Sequence, residues 1–322
     1  MYVLISDELI NIYQDLMSEF WFTWEVELIT FLQSKLTPAI KTFSEAITFF
    51  GDEYAMIIVI GFLYWGYKKD LGKKIALYAI SALLATISLN NLVKRSRPYI
   101  DHKSIKCVKP RTSEGDPNDL LVQGYSFPSG HATDSISTFG ALCLNIKNNL
   151  LKILFVLLIV LIGLSRIILG VHYPTDVLAG WFVSAFMIFV ISKIKNENIV
   201  YMMIISIGVL GLFVCRSTDY FSSLGIAIGF ICGFIYEEKY VNFKNTNNIF
   251  IMILRTIGGL ALFVVLDKIL KIPFSEALLA SKTVSAFLIR IVRYIICCFV
   301  LIGIYPKCFV YFEKLLNKKS SH

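Results

Sequence analysis

Three short stretches of this 322-residue chain gather residue types that handle phosphoryl groups. The first is Asn90-Asn91-Leu92-Val93-Lys94-Arg95-Ser96-Arg97-Pro98, the second Tyr125-Ser126-Phe127-Pro128-Ser129-Gly130-His131. The third is Ser165-Arg166, then five residues, His172, three residues and Asp176. If the chain is helical there, His172 and Asp176 share a face. A carboxylate on one imidazole nitrogen fixes the tautomer and frees the other nitrogen as base or nucleophile. The planar fork of Arg166 suits the non-bridging oxygens of a phosphate. Pro128 to His131 sits where a loop becomes a helix. Ser129 at the cap, Gly130 permitting close backbone approach and the free N–H groups make an anion site. His131 stands at its mouth, placed to donate a proton. Asn90, Lys94 and Arg97, at i, i+4 and i+7, form one polar face if they lie on a helix, which Pro98 ends.

Each stretch alone has a plainer reading: a snorkelling arginine with a helix-capping aspartate, an N-capping serine before a buried histidine, a basic membrane anchor. Together these readings require two arginines, a lysine, two histidines and an aspartate to reach one membrane face by accident. Arginine clamps, an N–H nest, a nucleophile and a proton donor are instead the parts that phosphoryl transfer needs. No carboxylate cluster suited to Mg²⁺ accompanies them, so neither metal nor cofactor is expected.

The elements that position these residues follow from composition. Fifty-six per cent of the chain is hydrophobic, 17 % is charged, and the mean hydropathy is +0.68. That apolar excess exceeds what one soluble core hides. The net charge of +8 on so apolar a chain marks cytoplasmic loops and anionic lipid surfaces, not nucleic acid. Seven cysteines, mostly in apolar runs, give no disulfide or zinc pattern. At about 20 apolar residues per crossing, spans are predicted near 54–67, 74–93, 131–147, 150–170, 177–194, 199–215, 220–236, 249–269 and 285–305. Trp21 to Phe50, aromatic but carrying Glu25, Glu27, Lys35, Lys41 and Glu45, reads as two amphipathic interfacial helices or one tilted span. The domains are then 1–50, interfacial helices; 51–195, a catalytic core; and 196–322, additional spans. Lys and Arg divide almost evenly between the two sides. Discounting Arg97 and Arg166 favours a cytoplasmic Lys68 to Lys74 turn and an external 94–127 loop, which reads as a lid or a plain solvated loop. In the last third, Arg290 and Arg293 form an i, i+3 pair, read as lipid snorkelling or a headgroup site. The Gly225-Gly229-Gly233 ladder serves internal packing or a homodimer.

The set resembles the type 2 phosphatidic acid phosphatase family of membrane lipid phosphatases, which shares its active-site pattern with vanadium haloperoxidases. That pattern is Lys, six residues, Arg-Pro; Pro-Ser-Gly-His; and Ser-Arg, five residues, His, three residues, Asp. The last two match here without gaps, and the first matches at Arg97-Pro98. The likeness covers roughly residues 43–195, including Thr48 to Glu53, Tyr64-Trp65 and the Gly170 to Gly180 run. It implies an all-α polytopic bundle with a six-span phosphatase-like core and additional C-terminal spans. It also implies a metal-independent phosphatase acting on a lipid phosphate monoester or diphosphate; the charge count places its site at the extracytoplasmic face of the cell membrane. His172 is then the nucleophile, forming a phosphohistidine; Asp176 orients it, and His131 protonates the leaving group. Arg97, Arg166, Ser129 and the Gly130 N–H hold the phosphoryl oxygens. One position departs from the pattern, since the family's lysine falls at Asn90. Lys94 is the candidate substitute, and altered phosphate binding is expected. Phosphotransfer to another lipid, or lipid binding or transport without catalysis, are the alternative functions.

Overall fold

The computed structural model describes residues 20–109 and 123–311, and every regular element among them is helical. The long elements are α1 (Thr23–Ser34), α2 (Pro38–Thr48), α3 (Glu53–Gly61, continued by a π-helical turn Phe62–Tyr67) and α4 (Lys69–Val93). Next come α5 (Gly130–Ser135, extended through Ile136–Gly140 and Ala141–Asn145), α6 (Asn149–Ile168) and α7 (Pro174–Lys193). Then follow α8 (Glu197–Gly211), α9 (Thr218–Tyr236), α10 (Ile249–Ile269) and α11 (Val284–Phe299).

Among the described residues, six helical stretches are long and apolar enough to cross a bilayer: Lys69–Asp101, Asn149–Ile168, Pro174–Lys193, Thr218–Val241, Ile249–Ile269 and Val284–Tyr311. They coincide with six of the nine predicted spans. The other three come out shorter. α3 passes only as half of a bent pair with Pro38–Gly51, and α8 is a shorter apolar helix. The 130–145 run is broken by a π-helical stretch. Apolarity was legible in the residues, whereas breaks in the backbone ladder were not. The direction of burial fits a bilayer: on α6, Leu150, Ile153, Val156 and Leu157 are exposed while Ser165 and Arg166 are buried. A contiguous apolar exterior of this kind is untenable in water and normal against lipid. This is an all-α integral membrane protein.

The described residues gather into two compact units. One comprises the chain up to 53 together with 85–186, the other 54–84 and everything from 187. In the first, Ile29, Tyr99, Ile105, Ala132, Leu169 and Val171 belong to one buried apolar cluster beneath the chemistry-bearing turns. Trp21 to Phe50 holds two helices, the second capped by Thr37 Oγ1 and opened by Pro38. Within it Glu25 is fully buried while Trp24, Leu28 and Phe31 are exposed. Of the proposed lid, residues 110–122 lie outside the described residues.

In the second unit, Lys73 is buried and paired with Glu197 and Glu238. Asp267 pairs with Lys271 and Arg293 rather than with its neighbour Lys268, while Arg290 donates to Leu279 O. The glycine ladder serves internal packing. A Cβ at Gly225 would lie 2.6 Å from Ile291 O, at Gly229 2.7 Å from Cys298 Cβ, and at Gly233 2.8 Å from Ile302 Cβ. All seven cysteines are free.

Substituting Gly229 tests the ladder. Gly229→Ala should lower the thermal unfolding temperature in detergent, as overpacking costs about 1–3 kcal/mol. Cys232→Ala, at an exposed position on the same helix, should leave it unchanged. Equal melting temperatures for both variants would contradict this packing.

Candidate active site

The site is assembled by the turns that join α4 to the following loop, open α5, and connect α6 to α7, all in the first unit. α6 ends where Gly170 takes φ +75, a conformation open to glycine. A Cβ there would also lie 2.4 Å from Lys106 O. The chain reverses through Val171 and His172, and Pro174 opens α7. His172 therefore precedes the helix, and the expected shared helical face does not form. A capping turn brings the pair together instead. Asp176 Oδ2 accepts the Tyr173 N–H at 2.7 Å, and Oδ1 accepts from Arg95 at 2.6 Å.

With both oxygens engaged, Asp176 does not hydrogen-bond His172; Oδ2 stands 3.6 Å from Nδ1. Nδ1 lies instead 2.8 Å from Ser126 O. A carbonyl only accepts, so this partner assigns the proton to Nδ1 and the lone pair to Nε2. The tautomer expected from a carboxylate is thus set by a backbone carbonyl, and Asp176 acts on the ring through its charge.

Ser126 is itself strapped down. Its N–H donates to Arg95 O at 2.8 Å and its hydroxyl to Ser96 O at 2.8 Å. On either side, Asn90 Nδ2 donates to Tyr125 O at 2.9 Å and Phe127 O at 3.2 Å. An amide nitrogen has two hydrogens, and both are spent here. In this structure the Asn90 amide therefore serves the backbone around Ser126. Lys94 is also not where a helical register puts it. α4 stops at Val93, Lys94 takes φ 55 as a left-handed cap, and Arg97 lies beyond in extended backbone. The i, i+4, i+7 face therefore does not exist.

The Pro128–His131 turn meets the start of α7 closely. Ser129 N–H donates to Asp176 O at 2.9 Å, and a Cβ on Gly180 would fall 2.5 Å from Ser129 O. The Ser129 hydroxyl is buried with no hydrogen-bond partner among the described residues, and a Cβ at Gly130 would enter open space. An orphan buried hydroxyl beside a vacant glycine face suits an incoming oxyanion. His131 follows at once, with Gly51 against its Cβ.

The two predicted arginine clamps are both buried. Arg97 donates to Gly124 O at 2.9 Å, Gln123 O at 2.8 Å and Val171 O at 3.0 Å, tying together the loops that carry Ser126 and His172. Arg166 donates to Thr48 Oγ1 at 2.8 Å. Their charge is present at the site while these donors serve the scaffold.

Sequence reasoning passed over Arg95 and Glu25, the most deeply buried charges here. Arg95 reaches Glu25 Oε2 at 2.7 Å, Thr175 Oγ1 at 2.7 Å and Asp176 Oδ1 at 2.6 Å, with its guanidinium 3.9 Å from the Tyr173 ring centre. Burial and the Asp101 carboxylate beside it hold the Tyr173 phenol well above its ordinary range, so it donates to Asp101 Oδ2 at 3.1 Å. The available signal was an acid in an aromatic-rich segment, because a charge there demands a buried partner. Among the described residues, no group of three or more His, Cys, Asp or Glu side chains is arranged to hold a metal ion.

The PAP2 superfamily profile matches residues 72–199, and that of the PAP2 superfamily phosphatase transmembrane extension matches 221–319. The chain is 26% identical over 179 residues to an undecaprenyl-diphosphatase of Sulfolobus acidocaldarius, covering 54% of this chain and 80% of that one. It is 32% identical over 163 residues to a lipid A 1-phosphatase of Rhizobium etli, covering 46% of this chain and 68% of that one. Among solved structures, it matches a transmembrane PAP2-type phosphatidylglycerolphosphate phosphatase of Bacillus subtilis with a TM-score of 0.39 and 21% identity, over 59% of this chain and 97% of that one.

Because a methyl group at position 130 meets nothing, Gly130→Ala should fold with unchanged thermal stability. It should nonetheless weaken inhibition by orthovanadate by about tenfold, since the methyl occupies the space the anion needs. Unaltered inhibition would remove Gly130 from the anion site.

Proposed function

This chain belongs to the PAP2 superfamily and is a membrane phosphoric ester hydrolase of that type; from this premise we propose that it removes phosphate from a lipid phosphate monoester or diphosphate through a phosphohistidine, without a metal ion. The observation that carries the reading is the Nδ1 proton of His172 held on Ser126 O, which leaves the lone pair at Nε2. The orphan Ser129 hydroxyl and the open face of Gly130 support it.

The reaction runs in two displacements. The Nε2 lone pair forms a bond to phosphorus as the bond to the lipid oxygen breaks, and His131 gives that oxygen a proton. His131 then takes a proton from water, whose oxygen bonds to phosphorus as the N–P bond breaks. Inorganic phosphate leaves, and both histidines return to their first state. The charges of Arg97 and Arg166, with Ser129 Oγ and the Gly130 N–H, offset the charge on the phosphoryl oxygens.

A lipid substrate is supported by the names of both relatives and by an apolar cavity of about 440 Å³, lined by Ile136, Gly140, Cys143, Ile159, Trp181 and Phe182 among others. Ile136 lies five residues beyond His131 on the same helical run, roughly 7.5 Å deeper at the rise of a helix. We assign the site to the extracytoplasmic face of the cell membrane. The site occupies one end of α4, α6 and α7, while the opposite ends carry Lys69, Lys73 and Lys74, Lys152, and Lys193.

Purified protein should release phosphate from phosphatidic acid in EDTA, and His172→Ala should lose at least about 10³-fold in rate. His131→Ala should suffer far more with phosphatidic acid than with p-nitrophenyl phosphate, whose leaving group needs no proton. Full activity in His172→Ala, or equal losses on both substrates in His131→Ala, would overturn the respective role.

A further inference from the structure

Glu25 lies outside every motif that marks the site, yet it is fully buried against it. Oε1 accepts from Thr175 N at 3.0 Å and Thr175 Oγ1 at 2.6 Å; Oε2 accepts from Arg95 at 2.7 Å and Phe22 N at 3.0 Å. Four donors fill the acceptor positions of an ionised carboxylate, and none of them accepts a proton from it.

A charge count shows why that matters. When phosphorus bonds to Nε2, the imidazole keeps its Nδ1 proton on Ser126 O and becomes cationic. Asp176, 3.6 Å away, is the carboxylate placed to stabilise that charge. Arg95, however, sits one hydrogen bond behind Asp176, at 2.6 Å. As a pair they are neutral, and in a buried setting the guanidinium cancels much of the field its partner exerts on His172. Glu25, paired to the other arm of Arg95 at 2.7 Å, brings Glu25, Arg95 and Asp176 to a net charge of −1, with the Asp101 carboxylate also acting on Arg95 from beyond Tyr173.

On the phosphohistidine reading given above, we propose that Glu25 is a positioning residue for the nucleophile. It neutralises Arg95, so that Asp176 presents an uncancelled negative charge to His172. Through Thr175, the second residue of α7, it also fixes the turn on which Asp176 stands. The geometry makes two demands on Arg95. Its fork must hold Asp176, and its charge must be answered elsewhere. α1 supplies the answer, clamped at its far end by Gln33, which donates to Lys106 O at 2.8 Å and Ile168 O at 3.2 Å.

Charge and scaffold are separable by pairing two substitutions. Glu25→Gln keeps the shape and an acceptor for Thr175 but removes the charge. With phosphatidic acid in mixed micelles, kcat should fall about tenfold to a hundredfold while KM changes less than about twofold. Glu25→Gln/Arg95→Gln removes both charges, leaving Asp176 as the uncancelled anion, and should recover most of the lost kcat. A merely structural role predicts the reverse, because the double variant breaks more of the network. A double variant no faster than Glu25→Gln, beside an inactive His172→Ala, overturns the charge-balance proposal alone. Phosphate release by His172→Ala overturns the histidine reading and this proposal with it.

Discussion

A guanidinium buried in apolar surroundings is the constraint on which the rest of the first unit depends. Arg95 can occupy its place only if carboxylates meet it, because an unpaired buried charge costs several kcal/mol. Glu25 and Asp176 meet it from elements 70 and 81 residues away in the chain. Once those pairs form, α1, the turn after α4 and the first turn of α7 have little freedom left. Asp176 is held by its capping bond, and Ser126 is tied to the backbone oxygens of Arg95 and Ser96. His172 then has one carbonyl within reach of Nδ1 at hydrogen-bond distance. The same charge that orders the scaffold would blunt the site if left unanswered, which ties structural and chemical demands to one residue.

The membrane setting sharpens this logic. The outward faces of the long helices are apolar, so the polar groups of the first unit are withdrawn to helix ends and turns. In the second unit the rule recurs without the chemistry: Lys73 meets Glu197 and Glu238, and Arg293 meets Asp267. Buried ion pairs thus occur in both units. In the first, a Cβ at Gly130 would meet nothing within 4 Å, next to a Ser129 hydroxyl with no hydrogen-bond partner among the described residues.

What the residues disclosed in advance depended on sequence distance. Pro128 to His131 is a local turn, so its residue types carry its geometry, whereas the four-residue spacing of His172 and Asp176 brought them near each other through a capping turn and not a shared helical face. The apolar runs likewise marked six full spans, because length and composition suffice for those. Glu25 and Arg95 form their bond across 70 residues, and nothing in the spacing of either reports it. The glycine ladder was legible as a surface for close approach, but its partner, α11, was not, since any helix can present a ridge to small residues. Asn90, Lys94 and Arg97 misled for a local reason: a left-handed residue at Lys94 ended the helix before the third member.

Asn90 shows how a departure from a pattern can be read once the backbone is visible. A lysine at this position would bring an ammonium charge toward the phosphoryl group. Asparagine brings none, and both of its amide hydrogens bind the carbonyls on either side of Ser126. Ser126 in turn offers the carbonyl that holds Nδ1 of His172. The residue thus acts one step back, on the strand that sets the nucleophile's tautomer. On the proposed reading, cationic attraction for the substrate rests on Arg97 and Arg166, both anchored by protein acceptors.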